Sequence, residues 1–360
     1  MPTSTPEKAE LFAPGRVCLL GEHADWAGQY GLHPGYCLVI GTDQGVRAQI
    51  QPADGEFIVE THLPGPDGQP SGRRRRISCK WDLHALMEAA TDESEFFRHC
   101  VGVAHEVLKR YKTGGLELVI DRMDLPLKKG VSSSAAVCIL VARAFDTVYG
   151  LNLFPHELMD LAYVGERLTG SQCGRMDQAC IFGKTPVLLS FEGPQDVRIE
   201  PLFPEGQIDM FIVDLAGQKD TVKILADLQG AYQSSKALQE ALGPDNEAFI
   251  RLGCHALVTG DAAGLGLVMT EAQRSFDVKV GPHCPDQLAS PKLHQLLGLA
   301  ELTPHVHGGK GVGSQGDGTA QFVARGPSDR EVTIRIVQET FPGMRCFPLT
   351  ITPTRAAAGR

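Results

Sequence analysis

The chain has 360 residues, a length that suggests two domains and can bury a large core without disulfides or metals. Hydrophobic residues make up 42% and charged residues 21% of it, the balance of a globular protein, which excludes a disordered chain. The net charge of −9 predicts no nucleic-acid partner, because such proteins present a basic face.

The first ten residues, MPTSTPEKAE, form a mostly polar stretch without the apolar segment of a secretory signal. No apolar run reaches the roughly 18 residues that a membrane span requires. The ten cysteines contain no CxxC pair, which favours reduced, mostly buried thiols over a disulfide framework. These patterns predict a cytoplasmic protein without a membrane partner.

Hydrophobic periodicity predicts strands and helices interspersed along the chain, and therefore an α+β protein. Up to the middle of the chain, the predicted elements are a strand at 15–21, two apolar stretches within 36–50, a helical segment 81–111, a strand at 116–121, and helices at 134–149 and 155–170. Beyond it, the predicted elements are strands at 187–192 and 210–215, a helical region 221–277 broken at Gly243-Pro244 and at Gly260, a strand at 319–325, a helix at 328–340 and a strand at 344–352.

Two segments have no clear periodicity, and their structure is predicted from their composition. The arginine run 73–76 is interpreted as a solvated loop, with a polyanion-binding patch as the alternative. The stretch 193–207 is rich in proline and glycine, and it is the best candidate for a domain boundary. We therefore predict an N-terminal domain over 1–200 and a C-terminal domain over 201–360.

A serine run, LPLKKGVSSSAAVCILVARAF, occupies residues 125–145 between a predicted strand and a predicted helix. The free N–H groups and the dipole at a helix start favour phosphate, and Lys128 and Lys129 add positive charge. The alternative is a core helix that is simply capped by serine. This run is not a P-loop, since the GxxxxGK[ST] string is absent.

A second glycine-rich segment, Gly311 to Gly316, satisfies GxGxxG literally. A dinucleotide fingerprint must follow a strand and open a helix, whereas this segment precedes the strand-like TAQFVAR. The pattern therefore favours either a turn without function or a glycine loop packed beside a nucleotide-binding loop.

The segment PGRVCLLGEHADWAG, residues 14–28, carries Arg16 along a strand that ends in three polar side chains, Glu22, His23 and Asp25. Carboxylates and imidazole accept and donate hydrogen bonds in fixed directions, which suits the recognition of hydroxyl groups. A solvated turn is the alternative.

The segment GERLTGSQCGRMDQAC, residues 165–180, ends a helix that carries Glu166 and delivers Asp177 from a glycine-containing loop. A carboxylate in that position is suited to take a proton from a substrate hydroxyl, and a helix N-cap is the alternative. Two weaker patterns have structural interpretations: His305 and His307 as loop residues without a third metal ligand, and Asp220 or Thr221 as a helix N-cap.

In the order of the chain, these four segments resemble the motifs of the GHMP kinases, from about residue 12 to residue 325. Residues 14–28 are similar to the galactokinase signature PGRxNLIGEHxDYxxG, and the serine run is similar to the P-x-G-x-G-L-S-S-S-A loop. The string CGRMDQ, residues 173–178, is similar to the galactokinase string CGIMDQ. The segment Lys310 to Gly318 matches the late glycine loop of the family.

The resemblance implies an α+β fold with a ribosomal-S5-like N-terminal domain and a ferredoxin-like C-terminal domain. It implies ATP and Mg²⁺ as cofactors, a monosaccharide as substrate, and a monomer or weak homo-oligomer. By match, the site residues are Asp177 as catalytic base with Arg16 beside it; Glu22, His23, Asp25 and Gly174 for the sugar; Lys129, Gly130, Val131, Ser132, Ser133 and Ser134 for ATP; and Ser133 and Glu166 for Mg²⁺.

The chain also departs from the family pattern. Ala24 and Trp26 stand where galactokinases usually have threonine and tyrosine, and Arg175 stands where isoleucine is common. Lys128 replaces the first glycine of the serine loop and Val131 replaces leucine. Because Trp26 flanks the hydroxyl-binding cluster, these departures concern the identity of the sugar more than the use of ATP.

The expected activity is the ATP-dependent phosphorylation of the anomeric hydroxyl of a monosaccharide, with galactose as the first candidate. A kinase for another hexose, a pentose or a higher-carbon sugar is the alternative, and the spacing of Glu166 and Asp177 also fits a mevalonate-type kinase. A sensor that binds sugar and ATP without turnover is a further alternative. Trp81 and the helix after it are candidates for the adenine pocket.

Overall fold

The computed structural model describes residues 8–64, 70–125, 133–193 and 196–353. Within them, the chain forms two compact units, each built from separate stretches of sequence. The described residues of the first unit fall within 8–15, 42–125 and 133–183, and those of the second within 16–41 and 184–353. The division into domains 1–200 and 201–360 stays a prediction.

The described residues form strands and helices as follows. The strands are β1 (Ala9–Leu20), β2 (Gly35–Ala53), β3 (Glu56–Pro64), β4 (Pro70–Lys80), β5 (Gly115–Met123), β6 (Val187–Phe191), β7 (Val197–Pro201), β8 (Ile208–Asp214), β9 (Val306–Gly311), β10 (Thr319–Ala324) and β11 (Arg345–Ile351). The helices are α1 (Ala24–Ala27), α2 (Leu83–Thr91), α3 (Arg98–Arg110), α4 (Ser133–Tyr149), α5 (Pro155–Leu168), α6 (Thr221–Tyr232), α7 (Lys236–Glu240), α8 (Asn246–Thr259), α9 (Ala262–Lys279), α10 (Pro285–Leu288), α11 (Pro291–Leu297) and α12 (Pro327–Thr340).

The first unit contains a mixed sheet. Strand β3 pairs with β4 in antiparallel and with β5 in parallel, and β5 pairs in antiparallel with residues 46–53 of β2. Alternate residues of β5 are buried, as its apolar alternation predicts. Helices α3, α4 and α5 pack against one another, and their apolar side chains supply much of the core of this unit.

A close crossing of α3 and α5 determines where the functional end of α5 lies. A Cβ atom on Gly165 would come within 2.6 Å of the backbone of Val103, and one on Gly102 within 2.2 Å of the Gly165 carbonyl oxygen. Only glycine permits this approach, because any side chain would push the two backbones apart. The adjacent residue, Glu166, is thereby held at a defined depth in the unit.

The second unit contains a four-stranded antiparallel sheet in the order β11-β8-β10-β9. Numbered along the chain, this is the order 4-1-3-2 of the β-α-β-β-α-β arrangement, with α12 between the third and fourth strands. The expectation of a ferredoxin-like C-terminal portion is confirmed. The same unit contains residues 35–39 of β2, which pair with β6, and β6 pairs with β7.

The helical region 221–277 is broken at Gly260, as predicted, but not at Gly243-Pro244. There the chain continues through one π-helical turn, Ala241–Asp245, which joins α7 to α8. A π-turn accommodates a proline because its wider hydrogen-bond spacing absorbs the missing N–H. The break lies instead at residues 233–235, where the Ser235 hydroxyl caps α7.

Three further predictions need correction. The arginine run 73–76 is not a loop but part of β4, where Arg74 and Arg76 pair with Glu60 on the neighbouring strand β3. The helical segment 81–111 is two helices, α2 and α3, and the apolar stretches of 36–50 are one long strand. The helices at 134–149 and 328–340 and the N-cap role of Asp220 are confirmed.

Among the described helices, none combines the length and apolar character that a bilayer crossing demands.

Candidate active site

The serine run meets the first unit at the beginning of α4, whose first residue is Ser133. Of the residues assigned to ATP by match, Lys129, Gly130, Val131 and Ser132 lie outside the described residues. Ser133 and Ser134 occupy the first turn of α4, where backbone N–H groups have no partner within the helix. The predicted strand before the serine run and the predicted helix after it are therefore both present, as β5 and α4.

Glu166 is the most perturbed acid of this unit. Its side chain is buried, and burial, followed by the negative charge of Asp177, raises its pKa to about 7. The hydroxyls of Ser134 and Ser171 and the thiol of Cys173 oppose that rise. Its Oε2 atom has no hydrogen-bond partner among the residues described. The fold thus brings two carboxylates and a serine of α4 together, as the resemblance implies, although the serine beside Glu166 is Ser134.

Asp177 is delivered by the loop after α5 and begins a short 3-10 helix, Asp177–Phe182. The loop is attached to α5 by Arg175, whose guanidinium lies over the Tyr163 ring at 4.2 Å and pairs with Asp160 at 3.3 Å. A planar guanidinium can stack and form an ion pair at once, which isoleucine cannot do. Gly174 lies in the same loop, so this departure from the family pattern anchors the segment that carries the predicted base.

Gln178, which the sequence interpretation did not single out, is 1% exposed. Neither polar atom of its side-chain amide has a hydrogen-bond partner in the described part of the chain. Buried amides are rarely left unpaired, so such a residue beside a catalytic candidate is a functional candidate in its own right. Its place directly after Asp177 in the CGRMDQ string was the available signal.

The segment PGRVCLLGEHADWAG, residues 14–28, includes the end of β1 and the turn after it. Arg16 is a buried residue of that strand. Gly21 follows it with φ +98°, and a Cβ there would come within 2.1 Å of the Tyr36 carbonyl oxygen, so the turn requires glycine. Glu22, His23 and Asp25 come directly after this turn and are all buried, which excludes the alternative of a solvated turn.

Glu22 forms a buried ion pair with Lys310, the last residue but one of β9. The side chains are 4% and 2% exposed, and Lys310 Nζ also donates a hydrogen bond of 2.8 Å to the Gly311 carbonyl. A buried charge is stable only with a partner, so each residue depends on the other. The sequence placed Lys310 in the late glycine loop but did not predict that it pairs with Glu22.

His23 is buried in the same cluster. Its Nδ1 accepts a hydrogen bond of 3.1 Å from Trp26 Nε1, and its ring stacks on Phe276 with the centroids 6.0 Å apart. Burial is the main cause that lowers its pKa to about 4, and the positive charges of Lys219 and Lys310 add to it. His23 is therefore a neutral imidazole at pH 7.

The late glycine segment connects two antiparallel strands, β9 and β10, and opens no helix. This geometry confirms that it is not a dinucleotide fingerprint. The segment turns at Gln315, which has φ +63° and a backbone carbonyl that accepts a hydrogen bond of 2.9 Å from Lys219 Nζ. The glycine loop and the cluster after β1 belong to the same unit.

Two other sequence candidates have structural roles. His305 hydrogen-bonds to Asp329 at 2.6 Å, and the described residues contain no group of three or more His, Cys, Asp and Glu side chains suited to a metal. Trp81 stacks on Phe145 with the centroids 5.1 Å apart and donates a hydrogen bond to the Thr113 carbonyl. Its place as an adenine contact stays a prediction.

Known proteins resemble this chain in sequence and in fold. Residues 98–184 match the family model of the GHMP kinases N terminal domain. The chain is 27% identical over 209 residues to a galactokinase of Thermosipho africanus, covering 57% of this chain and 52% of that relative. It is 24% identical over 338 residues to a galactokinase of Chloroflexus aggregans, covering 84% of this chain and 80% of that relative.

Solved structures establish the fold. Lactococcus lactis galactokinase, solved with galactose, matches with a TM-score of 0.72 and 18% identity over 97% of this chain and 95% of its own. L. major mevalonate kinase, solved with R-mevalonate, matches with a TM-score of 0.72 and 19% identity over 99% of this chain and 100% of its own.

The relatives indicate a phosphotransferase that uses an alcohol group as acceptor. Residues 98–184 thus match the GHMP kinases N terminal domain, and the chain as a whole has the fold of the GHMP kinases.

Proposed function

We propose that this protein phosphorylates the anomeric C1 hydroxyl of a monosaccharide with ATP, and that galactose is the substrate. The observation that carries the proposal is the pair Glu166 and Asp177, close enough for one charge to raise the pKa of the other, beside the first turn of α4. Phosphoryl transfer needs phosphate binding, charge neutralisation and one group to receive the hydroxyl proton. Glu166, Asp177 and the first turn of α4 together offer candidates for these three tasks among the described residues of the first unit.

In the proposed reaction, the sugar oxygen forms a bond to the γ-phosphorus of ATP while the bond from that phosphorus to the β-bridging oxygen breaks. Asp177 takes the hydroxyl proton, and ADP leaves with the electron pair of the broken bond. The residues from Lys129 to Ser134 hold the phosphates by their backbone N–H groups, and Arg16 stabilises the charge of the transferring group. These roles rest on the match to the family motifs.

The residues around Glu166 fit a magnesium ion. They offer a carboxylate with an unpartnered oxygen, a second carboxylate in Asp177 and the hydroxyl of Ser134, all of them hard oxygen ligands. Mg²⁺ is commonly held by one or two carboxylates together with substrate phosphates, so a larger protein cage is not needed. We propose Glu166 and a serine of α4, Ser133 or Ser134, as the protein ligands. The ion would neutralise phosphate charge.

Support for a sugar comes from the cluster after β1. Glu22, His23 and Asp25 present two carboxylates and a neutral imidazole within four residues, and Gly174 is the matched backbone contact. A polyhydroxylated ligand uses several directional hydrogen bonds of this kind. Galactose is preferred because both relatives named above are galactokinases. Another hexose, a pentose or a higher-carbon sugar is the alternative substrate.

A mevalonate-type kinase is the second candidate. The mevalonate kinase structure matches this chain as well as the galactokinase structure does, with the same TM-score of 0.72. The spacing of Glu166 and Asp177 also fits that branch. The buried polar cluster after β1 favours the sugar, because mevalonate offers fewer hydroxyl groups to bind.

The test is coupled detection of ADP with a panel of free sugars and with mevalonate, on wild type and Asp177→Asn. We expect turnover with a sugar, and a loss of about 100-fold or more in kcat for Asp177→Asn, the range of a general base. Asp121→Asn, which alters an ion pair on β5, is the control and keeps wild-type turnover. Turnover with mevalonate alone, or sugar binding without any turnover, would reject the sugar kinase; retained activity in Asp177→Asn would reject the base.

Cytoplasmic location and a monomeric or weakly associated state remain predictions of the sequence. Size-exclusion chromatography with light scattering tests the second of these.

A further inference from the structure

The contact between Trp26 and His23 defines which nitrogen of the histidine carries the proton. Trp26 Nε1 lies 3.1 Å from His23 Nδ1. An indole N–H can only donate a hydrogen bond, so Nδ1 must present its lone pair. In a neutral imidazole, the proton then resides on Nε2.

The ring is neutral in its surroundings. It is 4% exposed, and burial together with the charges of Lys219 and Lys310 opposes protonation. The carbonyl oxygen of Ser314 acts in the other direction, because it faces the ring and favours an N–H pointing toward it. The Nε2–H tautomer therefore agrees with both nitrogen environments.

Nε2 itself is buried and makes no hydrogen bond to any residue that the structure describes. Leaving a buried donor unpaired costs about 1–3 kcal/mol, which a ligand oxygen would recover. Since the ring stacks on Phe276 and contacts the edge of Trp26, its orientation is restricted. The Ser314 carbonyl lies near the ring but makes no hydrogen bond with Nε2, so His23 is a preset donor without a hydrogen-bonded acceptor among the described residues.

Trp26 is held as firmly as the histidine. Its indole makes edge contacts with Tyr232, at 5.4 Å between centroids, and with Tyr30, at 6.2 Å. It is 6% exposed and belongs to a core cluster that includes Leu228 and Val280. The indole N–H is therefore a fixed donor.

We propose that Trp26 is a positioning residue that fixes His23 in the Nε2–H tautomer, so that His23 donates a hydrogen bond to an oxygen atom of the bound sugar. The inference rests on the proposed function for the identity of the ligand. It assigns to Trp26 a role in substrate affinity, through His23, and no role in the transfer step.

The first test measures the tautomer directly. Nitrogen-15 labelling of the histidines, with the His23 signal assigned by its loss in His23→Gln, distinguishes a protonated Nε2 from a protonated Nδ1 by two-bond proton correlations. We expect Nε2–H in wild type at pH 7.5. In Trp26→Phe, which retains an aromatic ring without the N–H, we expect a mixture of tautomers. Trp81→Phe, at the other tryptophan of the chain, leaves the His23 signal unchanged.

The second test measures the sugar. The KM of Trp26→Phe for the sugar should rise about three- to tenfold, the value of one hydrogen bond, while kcat changes by less than about twofold. Phe203→Leu, at an exposed aromatic ring to which no role is assigned, keeps both constants. Wild-type His23 protonated at Nδ1, a Trp26→Phe variant with an unchanged tautomer, or an equal loss in kcat would each overturn the inference.

The two proposals fail separately. Absence of sugar turnover in wild type rejects the kinase but leaves the tautomer measurement intact. Normal turnover with an unaltered tautomer in Trp26→Phe rejects only the role of Trp26. If Trp26→Phe does not fold, the tautomer in wild type still decides, because a protonated Nδ1 is incompatible with the Trp26 hydrogen bond.

Discussion

Removing one partner of the buried ion pair between Glu22 and Lys310 should strongly destabilise the second unit. Replacing Lys310 with methionine keeps most of the side-chain volume, so the change removes charge and hydrogen bonds without opening a large cavity. It leaves the Glu22 carboxylate, 4% exposed, without its cation, and the Gly311 carbonyl without its donor. Breaking one partner of a buried pair costs about 3–5 kcal/mol, and we expect Lys310→Met to lie in that range.

A double-mutant cycle separates the pair from the individual side chains. Glu22→Gln combined with Lys310→Met leaves two neutral groups that pack together, so the double variant should be more stable than the sum of the single effects predicts. We expect a coupling free energy of about 2 kcal/mol or more, since residues in direct contact couple by roughly 0.5–3 kcal/mol. The matched control is Lys223→Met in the half-exposed pair with Asp227, which should cost about 0.5 kcal/mol or less.

The chain offers a convenient probe for this measurement. Its two tryptophans lie in different units, Trp81 in the first and Trp26 in the second. In a Trp81→Phe background, tryptophan fluorescence during urea unfolding therefore reports the second unit alone. A cost for Lys310→Met below about 1 kcal/mol, or a coupling energy near zero, would refute the argument that burial makes this pair interdependent.

Two further predictions concern packing and pH. Gly165→Ala should destabilise the first unit by about 1–3 kcal/mol and lower turnover, because the added methyl group meets the backbone of α3 beside Glu166. Gly230→Ala, in an open part of α6, should be neutral or stabilising by up to about 1 kcal/mol, and both variants are compared in urea titrations that keep both tryptophans. Burial lowers the pKa of His23 to about 4, so the unfolded state takes up a proton near pH 6.5 while the folded state does not. The contribution of the neutral, buried His23 ring to the free energy of unfolding is therefore present above pH 6.5 and is lost as the pH falls toward 4. Between pH 7.5 and pH 5, wild type should lose about 2 kcal/mol more than His23→Gln, and an equal loss in both would contradict the assigned burial of the ring.

Much of the local structure followed from the sequence. The helices at 134–149 and 328–340, the break at Gly260 and the Asp220 cap were predicted because periodicity, glycine and capping residues act within a few residues of themselves. Where the prediction was wrong, a longer-range interaction decided. The arginines of 73–76 form a strand because β3 supplies backbone partners and the Glu60 carboxylate, none of which is visible in the run itself.

The candidate site divides in the same way. The sequence by itself determined the resemblance to the GHMP kinases, the order of the four motifs and the residue types at the site, because those motifs are short and their spacing is part of the pattern. Only the tertiary structure decided that Glu22 is bound to Lys310, that Ser134 lies beside Glu166 and that the Trp26 indole donates a hydrogen bond to His23 Nδ1. Burial and hydrogen bonding depend on which distant residues exclude water from a group, and Glu22 and Lys310 are 288 positions apart in the sequence and meet only in the folded second unit.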